Sequence, residues 1–367
     1  MKSYQLYPRD VLFFRDGRPI DRLKDDAGDI AVVGHGAFWP RPDHLYNAVM
    51  HALLGSRSAG RKAFGTFGDL QVAGPFPVKG GELYLPRPLD WKMGVEPLRE
   101  TNAPAWLTHG FIDDEEGKKN YPTWIPLTCY KAYLDAADRP SRDRLGDLKE
   151  PSLFAPEIRT GTTMDPATGA SKRNADQRSG QYQAEYLRLE RGVSMACEIN
   201  PGKTDVETPR AFIMGGQGGM VSAEPSGISL EASFPVPAVP EGEGPFYLRW
   251  TLLAPAYFAQ TGWVPGWCKD TNPVDPEPIG HVKLPNCDTC RLIGACTGKP
   301  IVFSGWDSEE GIKPTVLAVP AGSVYLFECP ERGKAEALVR ALHLTRKSDF
   351  GSQGFGMGVC SFVRISR

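Results

Sequence analysis

The sequence predicts an α+β fold made of two tandem ferredoxin-like domains with long loop insertions. Each half of the chain shows an early strand, a helix, a hairpin pattern and a closing glycine-rich strand, the βαββαβ order of the split βαβ plan. Gly (40) and Pro (33) are both abundant in the 367 residues, which is typical of strands joined by long connections. The chain is also long enough for two domains.

A linker composition separates the two halves. Residues 235–245 read PVPAVPEGEGP, rich in the residues that interrupt regular structure. We therefore place an N-terminal domain at residues 1–234 and a C-terminal domain at residues 246–367.

The N-terminal elements begin with a strand over residues 3–14, interrupted or bulged at Pro8. An exposed loop is predicted over residues 21–38. A helix capped by Asp43 should follow and end at Gly55, with an apolar stripe formed by Leu45, Val49, Ala52 and Leu53.

The rest of this half is predicted to alternate loops with hairpins. Residues 92–150 are irregular and charged, and residues 156–182 form a long polar loop that resembles a thumb. Two alternating segments, residues 182–190 and 193–199, flank Arg191-Gly192 and favour a hairpin. The run GGQGG at 215–219 then separates two further strands.

The C-terminal half contains the stronger strand patterns. Strands are predicted in FYLRWTLLAPA, IVFSGW, TVLAVPAG and SVYLFECP, and a helix over residues 335–347 precedes a last strand over residues 359–365.

Bulk properties exclude several classes of protein. No apolar run is long enough to cross a membrane and the N-terminus lacks a signal-peptide core, so we expect a cytoplasmic protein without membrane partners. The formal net charge of −2 gives no global basic signature, so any nucleic-acid contact must come from local patches.

The C-terminal sequence KSDFGSQGFGMG (347–358) is the most informative motif. Its glycines allow positive φ and close approach to a ligand, and Phe355 is placed to stack on a base. It follows a helix and precedes a strand, the reverse of a P-loop, so ATP hydrolysis is not predicted. The alternative is a sharp turn at the end of a sheet. The candidate RNA-binding residues here are Lys347, Gly351, Ser352, Gln353, Gly354, Phe355, Gly356 and Gly358.

Basic residues and a second glycine turn extend this candidate surface. Arginine forms bidentate contacts with phosphate. The candidates are Arg15, Arg18, Arg159, Lys172, Arg173, Arg178, Gly215, Gly216, Gly218 and Gly219.

A cysteine cluster predicts a structural metal site. Cys287, Cys290 and Cys296 follow a knuckle spacing, with Cys268 or His281 as the fourth ligand of a tetrahedral zinc. Free cysteines are the alternative. No cofactor is expected for chemistry, since serine-nucleophile and H-E-x-x-H motifs are absent from the sequence.

An ordered set of motifs resembles the third-subunit family of the Cmr complex, the type III-B CRISPR RNA-guided effector, within the RAMP superfamily. The matching segments are RDVLFFRDGRPI, VAGPF, GELYLPRPLDW, EIRTGTTMDPATGAS, GQYQAEYLRL, IMGGQGGMVSAE, VPAGSVYLF and GSQGFGMG. They span nearly the whole chain, although residues 94–150 match nothing in the family pattern.

The resemblance implies a non-catalytic RNA-binding subunit for antiviral defence. Such a subunit holds the repeat-derived 5′ tag of the guide RNA with two RRM-like domains. It also bridges the large polymerase-like subunit to the backbone subunit, and meets target RNA indirectly.

Two other functions remain open from the residues. A RAMP endoribonuclease could use His35 or His51 as general base on a 2′-hydroxyl while processing precursor guide RNA. A zinc-stabilised scaffold would bridge subunits without touching RNA.

Overall fold

A computed structural model describes residues 1–16, 21–24, 30–54, 69–98, 107–112, 121–162, 164–165, 167–171, 181–202, 210–268, 280–303, 306–307, 311–312 and 314–365. The fold in these residues is mixed α+β with mainly antiparallel strand pairing, which confirms the predicted α+β class. No helix of these ranges combines the length and apolar character needed to cross a membrane.

The strands before residue 235 are β1 (Lys2–Pro8), β2 (Asp21–Lys24), β3 (Ile30–Gly34), β4 (Gln71–Lys79), β5 (Glu82–Pro86), β6 (Gly94–Pro97), β7 (His109–Ile112), β8 (Trp124–Pro126), β9 (Phe154–Thr162), β10 (Gln181–Leu189), β11 (Val193–Asn200), β12 (Ala211–Ile213) and β13 (Met220–Pro225).

The later strands are β14 (Phe246–Leu252), β15 (Arg291–Cys296), β16 (Ile301–Phe303), β17 (Trp306–Asp307), β18 (Gly311–Ile312), β19 (Val316–Ala318), β20 (Val324–Cys329) and β21 (Gly358–Val363). The helices are α1 (Pro42–Leu54), α2 (Leu127–Asp135), α3 (Arg139–Asp143), α4 (Leu230–Ser233) and α5 (Arg332–Leu342), with 3-10 turns at Gly266–Cys268 and Gly351–Gln353.

Four strands of the largest sheet lie in the same order as the four strands of a smaller sheet. The larger has the order β12-β13-β1-β11-β4-β5-β8, and the smaller has the order β15-β20-β14-β21. If the strands β1, β4, β11 and β13 are numbered 1 to 4 along the chain, they lie in the order 4-1-3-2. The strands β14, β15, β20 and β21, numbered the same way, repeat that order.

The core positions these sheets against each other. Helix α1 places Leu45 and Val49 against Val72 of β4 and Ile199 of β11. A second cluster joins residues of both halves, because Leu253, Ala254, Met357 and Val359 pack with N-terminal residues such as Trp91 and Tyr133. Burial of such apolar surface is the main favourable contribution to folding.

The predicted hairpin around Arg191-Gly192 is wrong. Strand β10 pairs with β9 and β3, whereas β11 pairs with β1 and β4 in the larger sheet. The five residues from Val193 to Cys197 are all buried, so both faces of β11 need cover. Only a central position in a covered sheet provides that, and the turn passes the chain from one sheet to the other.

Other boundaries also differ from the prediction. The segment 21–38 contains β2 and β3 rather than only a loop, and the described part of residues 92–150 contains three strands, α2 and α3. The thumb-like loop of 156–182 is shorter, because β9 continues to Thr162 with alternating burial. The first strand ends at Pro8, and α5 ends at Leu342 rather than at residue 347.

Candidate functional site

The segment after β1 brings an exposed arginine against the glycine turn between β12 and β13. Leu12 exchanges backbone hydrogen bonds with Leu187 of β10. The next carbonyl, that of Phe13, accepts a 2.8 Å hydrogen bond from the Gly216 N–H. The backbone of Arg15 then forms an isolated antiparallel β-bridge with Gly36, and the Arg15 side chain is exposed. Two motifs from distant parts of the sequence therefore meet.

The glycine turn packs inward through three of its residues, Gly215, Gly216 and Gly219. Gly215 has a φ of 83°, and a Cβ there would lie 2.6 Å from the Phe13 carbonyl oxygen. A Cβ on Gly219 would lie 2.9 Å from a methyl carbon of Leu12. Gly218 has open space around it instead. Residues 215–218 remain exposed, so their backbone can be reached from solvent.

One face of α1 completes a surface pocket of about 500 Å³ beside this turn. His44, Asn47 and His51 lie three and four residues apart, the spacing that places side chains on one side of a helix. The pocket is lined by Phe13, Phe14, Arg15, His44, Asn47, Ala48, His51, Ile213, Gly215 and Gly216. We call it the Arg15 pocket.

The imidazole of His44 is fixed by two neighbours. Its Nδ1 accepts a 3.2 Å hydrogen bond from the Arg41 N–H, and its ring stacks on Phe14 with centroids 4.9 Å apart. Burial and then the Arg41 guanidinium lower the pKa of His44 to about 4, against the opposing effect of Asp43. His44 is therefore neutral near pH 7.

The Arg15 pocket has the chemistry of an anion and base site. None of its lining residues, all within the described ranges, is a carboxylate. Arg15 supplies a permanent positive charge, Asn47 both donates and accepts, and the aromatic rings offer apolar faces. A site with these groups can contact a phosphate and hold a planar base.

Arg159, another predicted RNA contact, is engaged within the protein. It pairs with Asp10 at 2.9 Å and with Glu157 at 2.7 Å, and Arg188 contacts the same two carboxylates. These two acids neutralise the two arginines. The prediction that Arg159 offers its charge to phosphate therefore conflicts with the geometry.

Four predicted basic residues lie outside the described residues: Arg18, Lys172, Arg173 and Arg178. Their roles stay predictions.

The C-terminal glycine loop is packed against the protein rather than open to a ligand. A Cβ on Gly351 would lie 2.7 Å from the Arg346 carbonyl oxygen, and one on Gly354 would lie 2.9 Å from Pro42. Gly356 faces Ser348 and Gly358 faces Trp250 in the same way. These glycines serve close intramolecular approach, so the predicted phosphate cradle at this loop is not formed.

The side chains of this loop confirm that correction. Phe355 is only 1 % exposed and packs with Ala318, so it cannot stack on a base without leaving its core. Gln353 is buried as well. Ser352 is half-buried, and half-buried Lys347 lines a separate pocket with Trp267.

The four cysteines predicted to bind zinc are not gathered. The Cys296 sulfur contacts that of Met93 at 3.6 Å, and the Cys290 thiol points to the Lys334 carbonyl oxygen at 3.8 Å. Burial raises the pKa of Cys268 well above its ordinary value, and raises that of Cys287 to about 11. Within the described ranges, no group of three or more His, Cys, Asp or Glu residues, His281 included, is arranged to hold a metal ion.

The two histidines of the endoribonuclease alternative lie in different settings. The Nδ1 of His35 is 3.9 Å from a carboxylate oxygen of Glu185, whereas exposed His51 lines the Arg15 pocket. Asn47 was missed by sequence reasoning. The helical spacing from His44 to His51 contained the signal, because it places Asn47 on the same face.

A family model described as CRISPR-associated protein (Cas_Cmr3) matches residues 4–360. No curated protein sequence matches the chain.

Solved structures are similar at low identity. A chain of the type III-B Cmr-beta complex bound to cognate target RNA and AMPPnP is 16% identical, with a TM-score of 0.47 and coverage of 89% of this chain and 86% of that chain. A chain of the Csm3-Csm4 subcomplex of the type III-A CRISPR-Cas interference complex is 13% identical, with a TM-score of 0.38 and coverage of 89% and 92%.

Proposed function

Because the chain belongs to the Cas_Cmr3 family of CRISPR-associated proteins, we propose that it is an RNA-binding subunit of a type III-B effector. In this proposal it holds the repeat-derived 5′ tag of the guide RNA and bridges the large polymerase-like subunit to the backbone subunit. It performs no catalysis of its own.

The single observation that carries the proposal is the Arg15 pocket. It combines an exposed guanidinium, an amide, imidazoles and reachable glycine backbone, with no carboxylate among its lining residues in the described chain. Single-stranded RNA is commonly held by such mixtures of cationic and aromatic surface. Three residues that the sequence nominated, Arg15, Gly215 and Gly216, lie in it.

The strand order supports the finer proposal about the fold. Both sheets repeat the order 4-1-3-2, and α5 joins the third and fourth strands of the smaller one. Two ferredoxin-like units in tandem are the simplest account of this repetition.

An exposed apolar pair supports the bridging role. Val302 and Leu317 lie directly opposite each other on β16 and β19, and Leu317 is 52% exposed. Two neighbouring exposed apolar side chains offer a place where a partner subunit can pack.

The endoribonuclease remains a second candidate because His51 lies beside Arg15 in the same pocket. Incubation of the purified chain with its repeat RNA discriminates the two functions. Cleavage that is lost in His51→Gln would favour the nuclease, and intact RNA would favour the tag-binding role.

The test of the main proposal is a pull-down from the native host. A tagged full-length chain replaces the endogenous copy, and the co-purified RNA and proteins are identified. We expect small RNAs that share one 5′ tag, together with a polymerase-like large subunit. Recovery of the protein without RNA contradicts the proposal.

The same pull-down with the variant Arg15→Gln, and with Arg191→Gln as its control, tests whether RNA retention depends on the Arg15 pocket. Arg191 is exposed on the turn between β10 and β11, away from the Arg15 pocket. Loss of one charge-assisted phosphate contact should lower RNA retention about tenfold in Arg15→Gln only. The slope of log affinity against log salt should also fall by about 0.7. Equal retention in both variants would remove Arg15 from the interface.

A further inference from the structure

The His44 ring has one nitrogen, Nε2, that makes no hydrogen bond within the described residues. The backbone N–H of Arg41 donates to Nδ1, so that nitrogen carries a lone pair and the proton of the neutral ring is on Nε2. No hydrogen bond to Nε2 occurs within the described chain. The ring itself lines the Arg15 pocket. The fold therefore presents an imidazole that can donate through Nε2 and cannot accept there.

The neighbours of His44 suit a flat heteroaromatic ligand. Phe14 supports one face of the imidazole with an interplanar angle of 22°. Asn47 follows on the same helix face and is exposed, with one acceptor and two donor positions in its amide. A pocket of about 500 Å³ also leaves room for a ring with its sugar.

We propose, on the basis of the proposed function, that the Arg15 pocket takes one unstacked base of single-stranded RNA. His44 donates from Nε2 to an acceptor on the edge of that base, and Asn47 contacts an adjacent edge group. Arg15 binds the phosphate and carries no sequence information. His44 is thus a specificity-determining residue, whereas Arg15 is an affinity-determining one.

The protonation of His44 makes this selectivity constant near neutral pH. The charged groups near it are Arg41, Asp43 and Arg15, and the other titratable group of the pocket is His51. His44 keeps its single Nε2 proton as the pH falls from about 8 to about 5.5, because its pKa lies well below that range. A contribution from His51 is removed by measuring the profile in His51→Gln.

The test compares the affinities of the full-length chain for labelled oligo-A, oligo-C and oligo-U of about eight nucleotides. The variants are His44→Phe, which keeps the stack on Phe14, His44→Gln, which keeps a donor, and Arg15→Gln. We expect the wild-type affinities to differ by about tenfold between the best and worst oligonucleotide. His44→Phe should reduce that ratio to about twofold, and His44→Gln should retain part of it.

The outcomes separate this inference from the proposed function. Arg15→Gln should lower all three affinities equally and preserve the ratio. A ratio that survives in both His44 variants, or that is absent in the wild-type chain, overturns the role of His44 while RNA binding stands. A selectivity midpoint near pH 6.5 in His51→Gln overturns it too. Binding of none of the oligonucleotides contradicts the proposed function itself.

Discussion

A buried charge cluster joins the two halves of the chain at the level of single residues. Asp90 is fully buried, and its Oδ2 lies 3.7 Å from Arg249 and 3.9 Å from Arg142. Its other oxygen accepts a hydrogen bond from the Tyr133 hydroxyl. Two buried guanidinium groups thus depend on one carboxylate for neutralisation, and removal of one partner from such a group is costly.

We predict that Asp90→Asn lowers the free energy of unfolding by about 3–5 kcal/mol, because it leaves two buried cations uncompensated. The matched control is Asp147→Asn, in which the carboxylate is 85% exposed and pairs with Lys92. Because the Asp147 carboxylate lies in water, its pair with Lys92 should contribute at most about 1 kcal/mol. Urea denaturation of both variants measures the difference, and equal midpoints would contradict the neutralising role of Asp90.

Glycine-rich motifs in the sequence predicted two binding sites, but only the one at Gly215 and Gly216 lies at an exposed pocket, for one physical reason. Glycine runs indicate where the backbone needs close approach, but not which partner approaches it. At Gly215 and Gly216 the inner neighbour is Phe13, and the outer side remains exposed. At Gly354 the neighbours are Pro42 and Val72, which the sequence alone cannot place nearby. Such long-range contacts depend on the tertiary fold.

At the scale of elements, an ion network fixes the β9–β10 pair to the segment after β1. Asp10 and Glu157 together contact both Arg159 and Arg188, and Arg159 also lies over the Tyr186 ring at 5.6 Å. Hydrogen bonds, first from Arg188 and then from Arg159, lower the pKa of Glu157 to about 2. The sequence predicts such ion pairs between strands only in part. The alternation of apolar and polar residues indicates that a segment is a strand, but it does not show which strand lies beside it.

We predict that the Glu157 carboxyl titrates near pH 2 in the folded protein, below its ordinary value of 4.5. Its depressed pKa means that its stabilising contribution is complete above about pH 4.5 and is lost as the pH falls through about 2. Arg188→Gln should move the midpoint upward toward 4.5, because it removes the principal hydrogen bond. NMR titration of the carboxyl carbon measures this, with Arg191→Gln as the control. An unchanged midpoint in Arg188→Gln would contradict the network.

On the scale of the whole molecule, the two halves are joined by more than the linker. Arg249 of β14 donates a 2.8 Å hydrogen bond to the Tyr133 carbonyl oxygen in the N-terminal half. Within the C-terminal half, the Leu344 N–H donates to the Gly358 carbonyl oxygen at the start of β21. Arg346 in turn donates to the Val72 carbonyl oxygen of β4 at 3.0 Å. Because the glycine loop lies between these contacts, its packing should couple the stability of β4 to that of β21.

We therefore predict that Gly354→Ala destabilises both halves together by about 2 kcal/mol. Its φ of 95° is unfavourable for a residue with a Cβ, and the new atom would lie 2.9 Å from Pro42 and 3.1 Å from the Val72 carbonyl oxygen. Hydrogen exchange should show lower protection in β4 and β21 alike. Gly333→Ala is the control, since open space surrounds Gly333 in α5 and alanine favours a helix there. Loss of protection confined to β21 would show that the loop does not couple the halves, and the contacts with Pro42 and Val72 would then be incidental to stability.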